Sequence, residues 1–296
     1  MNIFDVTIIG VGRLGGALAL ALSKKGYQVK ELVSRDFEKA KRIADLIEPK
    51  PRILKPDEFD KISSSVIFIT TQDDEIPIVA ENLAEKLEDL PYVFHTSGSL
   101  SSDVLQKLNN EGCEVASFHP LVSISDSING ANSFANAYFC IEGDSEAVIV
   151  GKQIANDLHG NPFTIEAKYK TLYHASAVMA CGHLVSLISI AIDMLAKCGL
   201  QKNEAQEILM PLIKSTVTNL STQTPSSALT GTFARADAGI LRKHLETLRE
   251  NVSTEALEIY LKLGGQSLEL ARQNGVSEQS IELMKEILNE SELICV

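Results

Sequence analysis

The stretch Val6-Thr7-Ile8-Ile9-Gly10-Val11-Gly12-Arg13-Leu14-Gly15-Gly16 runs from a β-branched apolar segment, through a glycine-rich turn, into a segment of Ala and Leu. Residues 6–10 read as a buried strand and residues 15–25 as a helix with an apolar face. Each glycine has its own reason to be there. Gly10 permits a tight turn, Gly12 lets backbone approach a pyrophosphate without a Cβ, and Gly15 lets the helix pack close to the strand. Free N–H groups and the positive end of the helix dipole then face the phosphates. The unit reads as a dinucleotide site, with Gly10, Gly12, Arg13, Leu14 and Gly15 as candidate contacts.

The second strand, residues 29–34, ends in Ser34-Arg35-Asp36. A site for NAD would place Asp or Glu at this tip to bind the ribose 2′-hydroxyl. A hydroxyl and a guanidinium suit a 2′-phosphate instead, so Ser34 and Arg35 point to NADP(H). Asp36 competes with that reading if the register slips.

Strand and helix signals keep alternating through the first half. Strands are expected at 66–70, 92–96, 115–118, 138–142 and 162–166. Helices are expected at 37–46, 76–88, 101–109 and 146–158. Such alternation implies right-handed crossovers and an α/β, doubly wound, mostly parallel sheet. From residue 167 only helical periods remain, over 169–197, 202–220, 239–248, 254–272 and 277–289. The expected domains are a dinucleotide-binding domain over 1–166 and an all-helical substrate and dimerisation domain over 167–296. Two domains also suit 296 residues, 45% of them hydrophobic.

The formal charge is −12, with 39 acids against 27 Lys and Arg. That argues against nucleic acid as a partner, which needs a basic footprint. Five cysteines without a CxxC pair fit a reducing cytoplasm better than a disulfide framework. The opening residues MNIFDVTIIG lack a basic leader and do not read as a signal peptide. The apolar run 175–191 carries Ser176, His183, Ser186 and Ser189. It reads as a buried core helix rather than a membrane span, and its length suggests a homodimer formed through the helical domain.

Ligands of open parallel sheets bind beyond the carboxyl ends of the strands. Thr70 and Thr71 are expected near the nicotinamide ribose. Ser97, in His95-Thr96-Ser97-Gly98-Ser99, is a candidate substrate contact or an N-cap of the helix that follows, a role Ser101 or Ser102 could also fill. His119, in Phe118-His119-Pro120-Leu121, can carry a proton near neutral pH. Lys170 and His174 lie four apart on one helix face with Tyr173 close by, and a Lys at the edge of an apolar element can have a lowered pKa. Arg235, in Leu229-Thr230-Gly231-Thr232-Phe233-Ala234-Arg235-Ala236-Asp237, could clamp a carboxylate or belong to a capped loop at a dimer interface. His95, His119, His174 and Cys181-Gly182-His183 lack the paired spacing of zinc motifs, so no metal is expected.

These motifs together resemble a family of Rossmann-like proteins with a conserved helical C-terminal domain of unknown function, over nearly the whole chain. The wider architecture is similar to ketopantoate reductases, β-hydroxyacid dehydrogenases, pyrroline-carboxylate reductases and prephenate dehydrogenases. Some of these carry Lys-x-x-x-Asn on the first C-terminal helix, where this chain has Lys170 and His174. His119-Pro120 looks like the catalytic His-Pro of prephenate dehydrogenases, without the glycine that follows it there. The resemblance implies an NADP-dependent oxidoreductase that passes a hydride in an interdomain cleft to a small carbonyl or hydroxy acid. A ketopantoate-like 2-oxo acid leads among substrates. Lys170 or His119 would supply the proton, and Ser97 and His174 would orient the oxygen. The alternatives are an imine reductase and a non-catalytic NADP(H)-binding sensor or assembly protein.

Overall fold

A computed structural model describes residues 4–292. The chain forms two compact units that divide between Gly182 and His183. The first is built on an eight-stranded sheet. Its strands are β1 (Asp5–Ile9), β2 (Gln28–Val33), β3 (Arg52–Leu54), β4 (Val66–Ile69), β5 (Tyr92–His95), β6 (Glu114–Pro120), β7 (Tyr138–Gly143) and β8 (Asn161–Phe163). The helices beside them are α1 (Arg13–Lys24), α2 (Phe37–Ala44), α3 (Ile76–Lys86), the short α4 (Gln106–Asn110) and α5 (Ser127–Gly130), α6 (Ser145–Asp157) and α7 (Lys170–Val178).

The strand order is β3-β2-β1-β4-β5-β6-β7-β8. From β1 the chain winds outward through β2 and β3, then returns to place β4 on the other side of β1. That reversal opens a crevice at the carboxyl ends of β1 and β4. All four residues of β4 are buried, as a strand covered by helices on both faces requires. Phe68, Phe94, Phe118 and Phe139 stand one per strand across β4 to β7. Successive ring centroids lie 5.1, 5.9 and 5.0 Å apart. All four are fully buried, so truncating one to Ala would cost about 3–5 kcal/mol.

The doubly wound, mostly parallel architecture agrees with the sequence reading, with local corrections. β7 is antiparallel to β6, because the link from β6 returns at the same end of the sheet instead of crossing over. β3 was not anticipated; three residues are too few to show a period. The last strand stops at Phe163, short of residue 166. The helix expected over 101–109 opens as a 3-10 turn, Ser102–Leu105, before α4. Within the sheet, fully buried Glu31 accepts from Thr7 Oγ1 at 2.6 Å and Ser64 Oγ at 2.7 Å, and pairs with Arg52. Burial of that carboxylate is therefore fully compensated.

The second unit is helical: α8 (Leu184–Ala196), α9 (Lys202–Leu220), the short α10 (Pro225–Ala228) and α11 (Gly231–Ala234), α12 (Ala238–Asn251), α13 (Thr254–Gln273) and α14 (Glu278–Glu292). Its core joins Leu241 and Leu245 of α12, Leu257, Leu261 and Leu268 of α13, and Ile281, Met284 and Leu288 of α14. A capping box starts α9, with Gln201 N–H donating to Glu204 Oε2 at 3.0 Å. Between α7 and α8, Met179–His183 makes a π turn, so the helical period of 169–197 is not one regular helix.

The helical run Ala167–Ala196 is long and apolar enough to cross a membrane; its most apolar 18-residue window has a mean hydropathy of 2.0, and none of that window is buried in the chain. The expectation of a buried core helix over 175–191 is therefore wrong. Periodicity reports that a face is apolar and says nothing of what covers it.

Candidate active site

The glycine turn forms as its residue types require. Gly10 adopts φ +99°, and a Cβ there would stand 2.9 Å from the Thr70 and Thr71 backbone. A Cβ at Gly15 would collide with the Gly10 carbonyl oxygen and the Thr70 hydroxyl. Thr70 Oγ1 donates to the Gly10 carbonyl at 2.5 Å, so it staples the turn to the end of β4. A Cβ at Gly12, by contrast, would meet nothing within 4 Å. Gly10 and Gly15 are needed for packing, and Gly12 leaves open space at the N-cap of α1, where a phosphate would sit. Arg13 opens α1 and is exposed; Leu14 is half-buried against the core.

A crevice of about 520 Å3 runs from this turn, lined by Gly10, Gly12, Ser34, Arg35, Lys39 and Thr71 among others. β2 ends at Val33, which settles the register: Ser34 and Arg35 form the tip. Asp36 is the N-cap of α2 and accepts from Lys39 N–H at 3.0 Å, a bond that holds its carboxyl below the usual range. Ser34 Oγ is engaged with the Asp36 backbone at 3.1 Å. The cations lining the crevice are Arg35, which pairs with Glu75 at 2.7 Å, and Lys39, which lies 3.5 Å from Asp36. Both side chains are largely exposed. Lys39 escaped the sequence reading because it lies a full helical turn past the tip. Thr71 Oγ1 is buried without a hydrogen-bond partner. An open cradle, two exposed cations and an orphaned hydroxyl fit a phosphorylated dinucleotide.

The second cluster lies at the ends of β5 and β6. His95 is fully buried. Its Nδ1 accepts from Ser97 N–H at 3.2 Å and its Nε2 meets the Ser101 carbonyl at 3.1 Å. The accepting Nδ1 places the ring proton on Nε2. Burial, then the Lys170 charge, pushes its pKa down to about 3. His95 therefore shapes the 96–101 loop as a neutral ring. Ser97 Oγ accepts from Ser99 and Leu100 N–H, each at 3.1 Å, so its hydroxyl caps this loop. Ser99 Oγ donates to Asp73 at 2.6 Å and ties the loop to the one after β4.

His119 Nδ1 meets Tyr173 OH at 2.7 Å. Burial, followed by the charges of Lys170 and His174, lowers its pKa to about 4. A Cβ on Gly98 would collide with His174 Nδ1 and stand 2.8 Å from His119 Nε2. Two imidazole nitrogens from different elements thus converge beside one glycine. His174 Nδ1 is buried and has no hydrogen-bond partner, a state that costs free energy unless a ligand relieves it.

Lys170 and His174 do share the face of α7 turned to the sheet, but they reach different places. Lys170 is 1% exposed. Its Nζ donates to Ser117 Oγ at 2.6 Å and to Cys140 Sγ at 3.9 Å, and burial lowers its pKa. Ser117 and Cys140 were not singled out from the sequence. Their only signal is a small polar residue in an otherwise apolar strand. Among the described residues no group of His, Cys, Asp and Glu is placed to hold a metal ion.

In the second unit, Arg235 is exposed, Asp237 caps α12 by accepting from Ile240 N–H at 3.0 Å, and Phe233 packs beside Gly264 of α13. The motif around Arg235 thus forms the capped loop.

Residues 2–120 match the description of a Rossmann-like domain, and residues 137–267 match a domain of unknown function, DUF2520. The chain joins a Rossmann-like domain to a DUF2520 domain. This DUF2520 region begins inside the sheet, at β7, so Cys140, Lys170, Tyr173 and His174 belong to it, whereas His119 ends the Rossmann-like part. Among solved structures, a Bacteroides fragilis protein provisionally described as an NADP oxidoreductase is 22% identical with a TM-score of 0.70, over 90% of this chain and 98% of that one. Plasmodium falciparum pyrroline carboxylate reductase with NADP bound is 15% identical with a TM-score of 0.60, over 96% and 99%. An Aspergillus terreus reductive aminase in complex with NADPH and ethyl levulinate is 15% identical with a TM-score of 0.58, over 99% and 95%. At these identities the likeness is one of fold. No curated protein matches the sequence.

Proposed function

We propose that the chain is an NADP(H)-dependent oxidoreductase acting on a small carbonyl or imine compound. The observation that carries this reading is the convergence of His119 Nε2 and the orphaned His174 Nδ1 beside Gly98. It lies at the carboxyl end of the same sheet that holds the glycine turn. The rings leave no room at Gly98 itself, where even a Cβ would collide, so a substrate oxygen or nitrogen would meet them at their outer edges. When bound, the nicotinamide supplies the hydride. The chain's residues position the acceptor and polarise it: His119, neutral at pH 7, hydrogen-bonds the atom that gains negative character. Gly12 admits the pyrophosphate, and Arg35 with Lys39 supplies charge for a 2′-phosphate, while Asp36, engaged as a helix cap, is withheld from a 2′-hydroxyl. The solved structures with NADP or NADPH bound support the same cofactor.

Small 2-oxo acids, ketopantoate-like compounds first, and cyclic imines are the substrates to test. The imines come forward because the reductive aminase and the pyrroline carboxylate reductase share the fold. NADPH oxidation should be followed with each compound, using His119→Ala as control. Turnover that falls about 100-fold or more in the variant supports the reading. No turnover with any compound sinks it.

One observation favours the non-catalytic alternative. The Ser97 hydroxyl and the Lys170 ammonium have their partners inside the protein. A sensor would bind NADPH tightly and turn nothing over.

A homodimer through the helical unit is part of the proposal. Val185 on α8 and Ile208, Leu212 and Val217 on α9 are more than half exposed, an apolar surface that a second copy would cover. With Cys113 and Cys140 as free thiols, a reducing cytoplasm suits the chain.

A further inference from the structure

We infer that Glu75 sets the cofactor preference: its carboxylate occupies Arg35 in the free protein and competes with the 2′-phosphate of NADP(H) for that side chain. The inference rests on the proposed NADP(H) site and names a specificity-determining residue for it.

Glu75 stands where such a competition has to take place. Arg35 follows β2, and Glu75 follows β4 and immediately precedes α3. β1 lies between those two strands, so the pair joins loops on either side of the glycine turn. Both residues line the crevice that holds Gly10 and Gly12. Arg35 Nη2 lies 2.7 Å from a Glu75 carboxylate oxygen. Carboxylate and phosphate seek the same donors on a guanidinium. A 2′-phosphate brought to the tip of β2 therefore meets an arginine that is already engaged.

The two acids at this end of the crevice differ in what else holds them. Asp36 caps α2, where it accepts from Lys39 N–H at 3.0 Å. Glu75 occupies the N-cap position of α3, yet its side chain makes no capping hydrogen bond. It forgoes the free N–H groups and the positive helix end that favour a carboxylate, and reaches Arg35 instead. Among the described residues Arg35 is its one ion pair. The Glu75 side chain is 27% exposed and that of Arg35 76%, so each stays hydrated if the pair opens.

Binding of the 2′-phosphate has to open this pair. It then leaves Glu75 beside a like charge that is held on the same arginine. An exposed ion pair is weak, so the opposition is modest rather than prohibitive. NAD(H) carries a hydroxyl at that position and has no need of Arg35. Glu75 thus holds down the preference that Arg35 creates.

Calorimetric titration of NADPH and NADH into the full-length protein tests this. The proteins are wild type, Glu75→Gln, Glu75→Ala, Arg35→Ser and the double variant Glu75→Gln with Arg35→Ser. Each single Glu75 variant should tighten NADPH binding about 3- to 10-fold and leave NADH within about 2-fold. The alanine variant shows that the gain comes from losing the carboxylate and not from the new amide. Neither variant removes a helix cap or a buried group, so the thermal midpoint should match the wild type. Without Arg35 the gain from Glu75→Gln should shrink below about 2-fold, because the contested side chain is gone. Unchanged or weaker NADPH binding in both Glu75 variants overturns the inference, since Glu75 would then position Arg35 rather than contest it. A gain undiminished in the Arg35→Ser background overturns it too. Either result, with Arg35→Ser weakening NADPH alone, leaves the NADP(H) site standing. A wild type that binds NADPH no better than NADH, with Arg35→Ser indifferent, sinks the site and the inference together.

Discussion

At neutral pH His95 and His119 are both uncharged, for one reason and with two consequences. Burial makes the imidazolium costly at each. For His95 the consequence is stability. Its pKa falls from 6.5 when unfolded to about 3 when folded. The folded state therefore binds the proton less readily than the unfolded state. The stability at stake is fully present above pH 6.5 and is lost as pH falls toward about 3, up to roughly 4–5 kcal/mol in all. Urea unfolding between pH 7 and about 4 should show this decline, and His95→Gln should flatten it. For His119 the consequence is chemical: a neutral ring can donate a hydrogen bond with its other nitrogen occupied by Tyr173. At the cofactor end, Arg35→Ser should weaken NADPH binding about 10- to 100-fold and leave NADH nearly unchanged. That is what losing one charge-assisted contact to a 2′-phosphate costs; calorimetric titration of both cofactors checks it. The sequence showed His119, Arg35 and the glycines because each stands at a predicted strand end. It could not show that Ser97 would cap its own loop, which turns on the N–H groups of Ser99 and Leu100, or that Lys170 would turn inward to Ser117 across the sheet.

The glycine turn and the apolar helical run show how far a local pattern reaches. In the turn, sequence spacing and steric need coincide, so the strand, the bend and α1 were legible to within a few residues. Gly12 separates ligand binding from folding more cleanly than its neighbours. Its Cβ would meet only open space, so Gly12→Ala should keep the thermal midpoint of the wild type while losing most NADPH affinity. Gly15→Ala should lose both, because its Cβ meets the Gly10 carbonyl and the Thr70 hydroxyl. Thermal melts with and without NADPH distinguish the two. Two features of the elements were not legible. The antiparallel β7 carries the same apolar pattern as a parallel strand, and direction is set by the link after Pro120. The helical run after residue 167 advertised an apolar face, but a sequence cannot say whether that face meets the chain's own core or another surface.

At the scale of the molecule, the exposed apolar residues of α8 and α9 call for a partner. A homodimer should elute from gel filtration at twice the chain mass at micromolar concentration, and Val185→Glu with Leu212→Glu should shift it to monomer without unfolding it. A wild-type monomer under those conditions would contradict the dimer. The two-part organisation of sheet followed by helices was plain in the sequence, because strand signals stop near residue 167, but the compact units divide later, after Gly182, so α7 belongs with the sheet. The proposed site draws on residues from both matched regions, His119 from one and Tyr173 and His174 from the other, held together within the first compact unit. The most direct measurement is NADPH oxidation by wild type and His119→Ala across 2-oxo acids and cyclic imines, with NADPH affinity determined for both proteins. Turnover of at least one compound by the wild type, lost about 100-fold or more in a variant that still binds NADPH normally, is the expected result. Tight NADPH binding with no turnover of any compound, or turnover indifferent to His119, would contradict it.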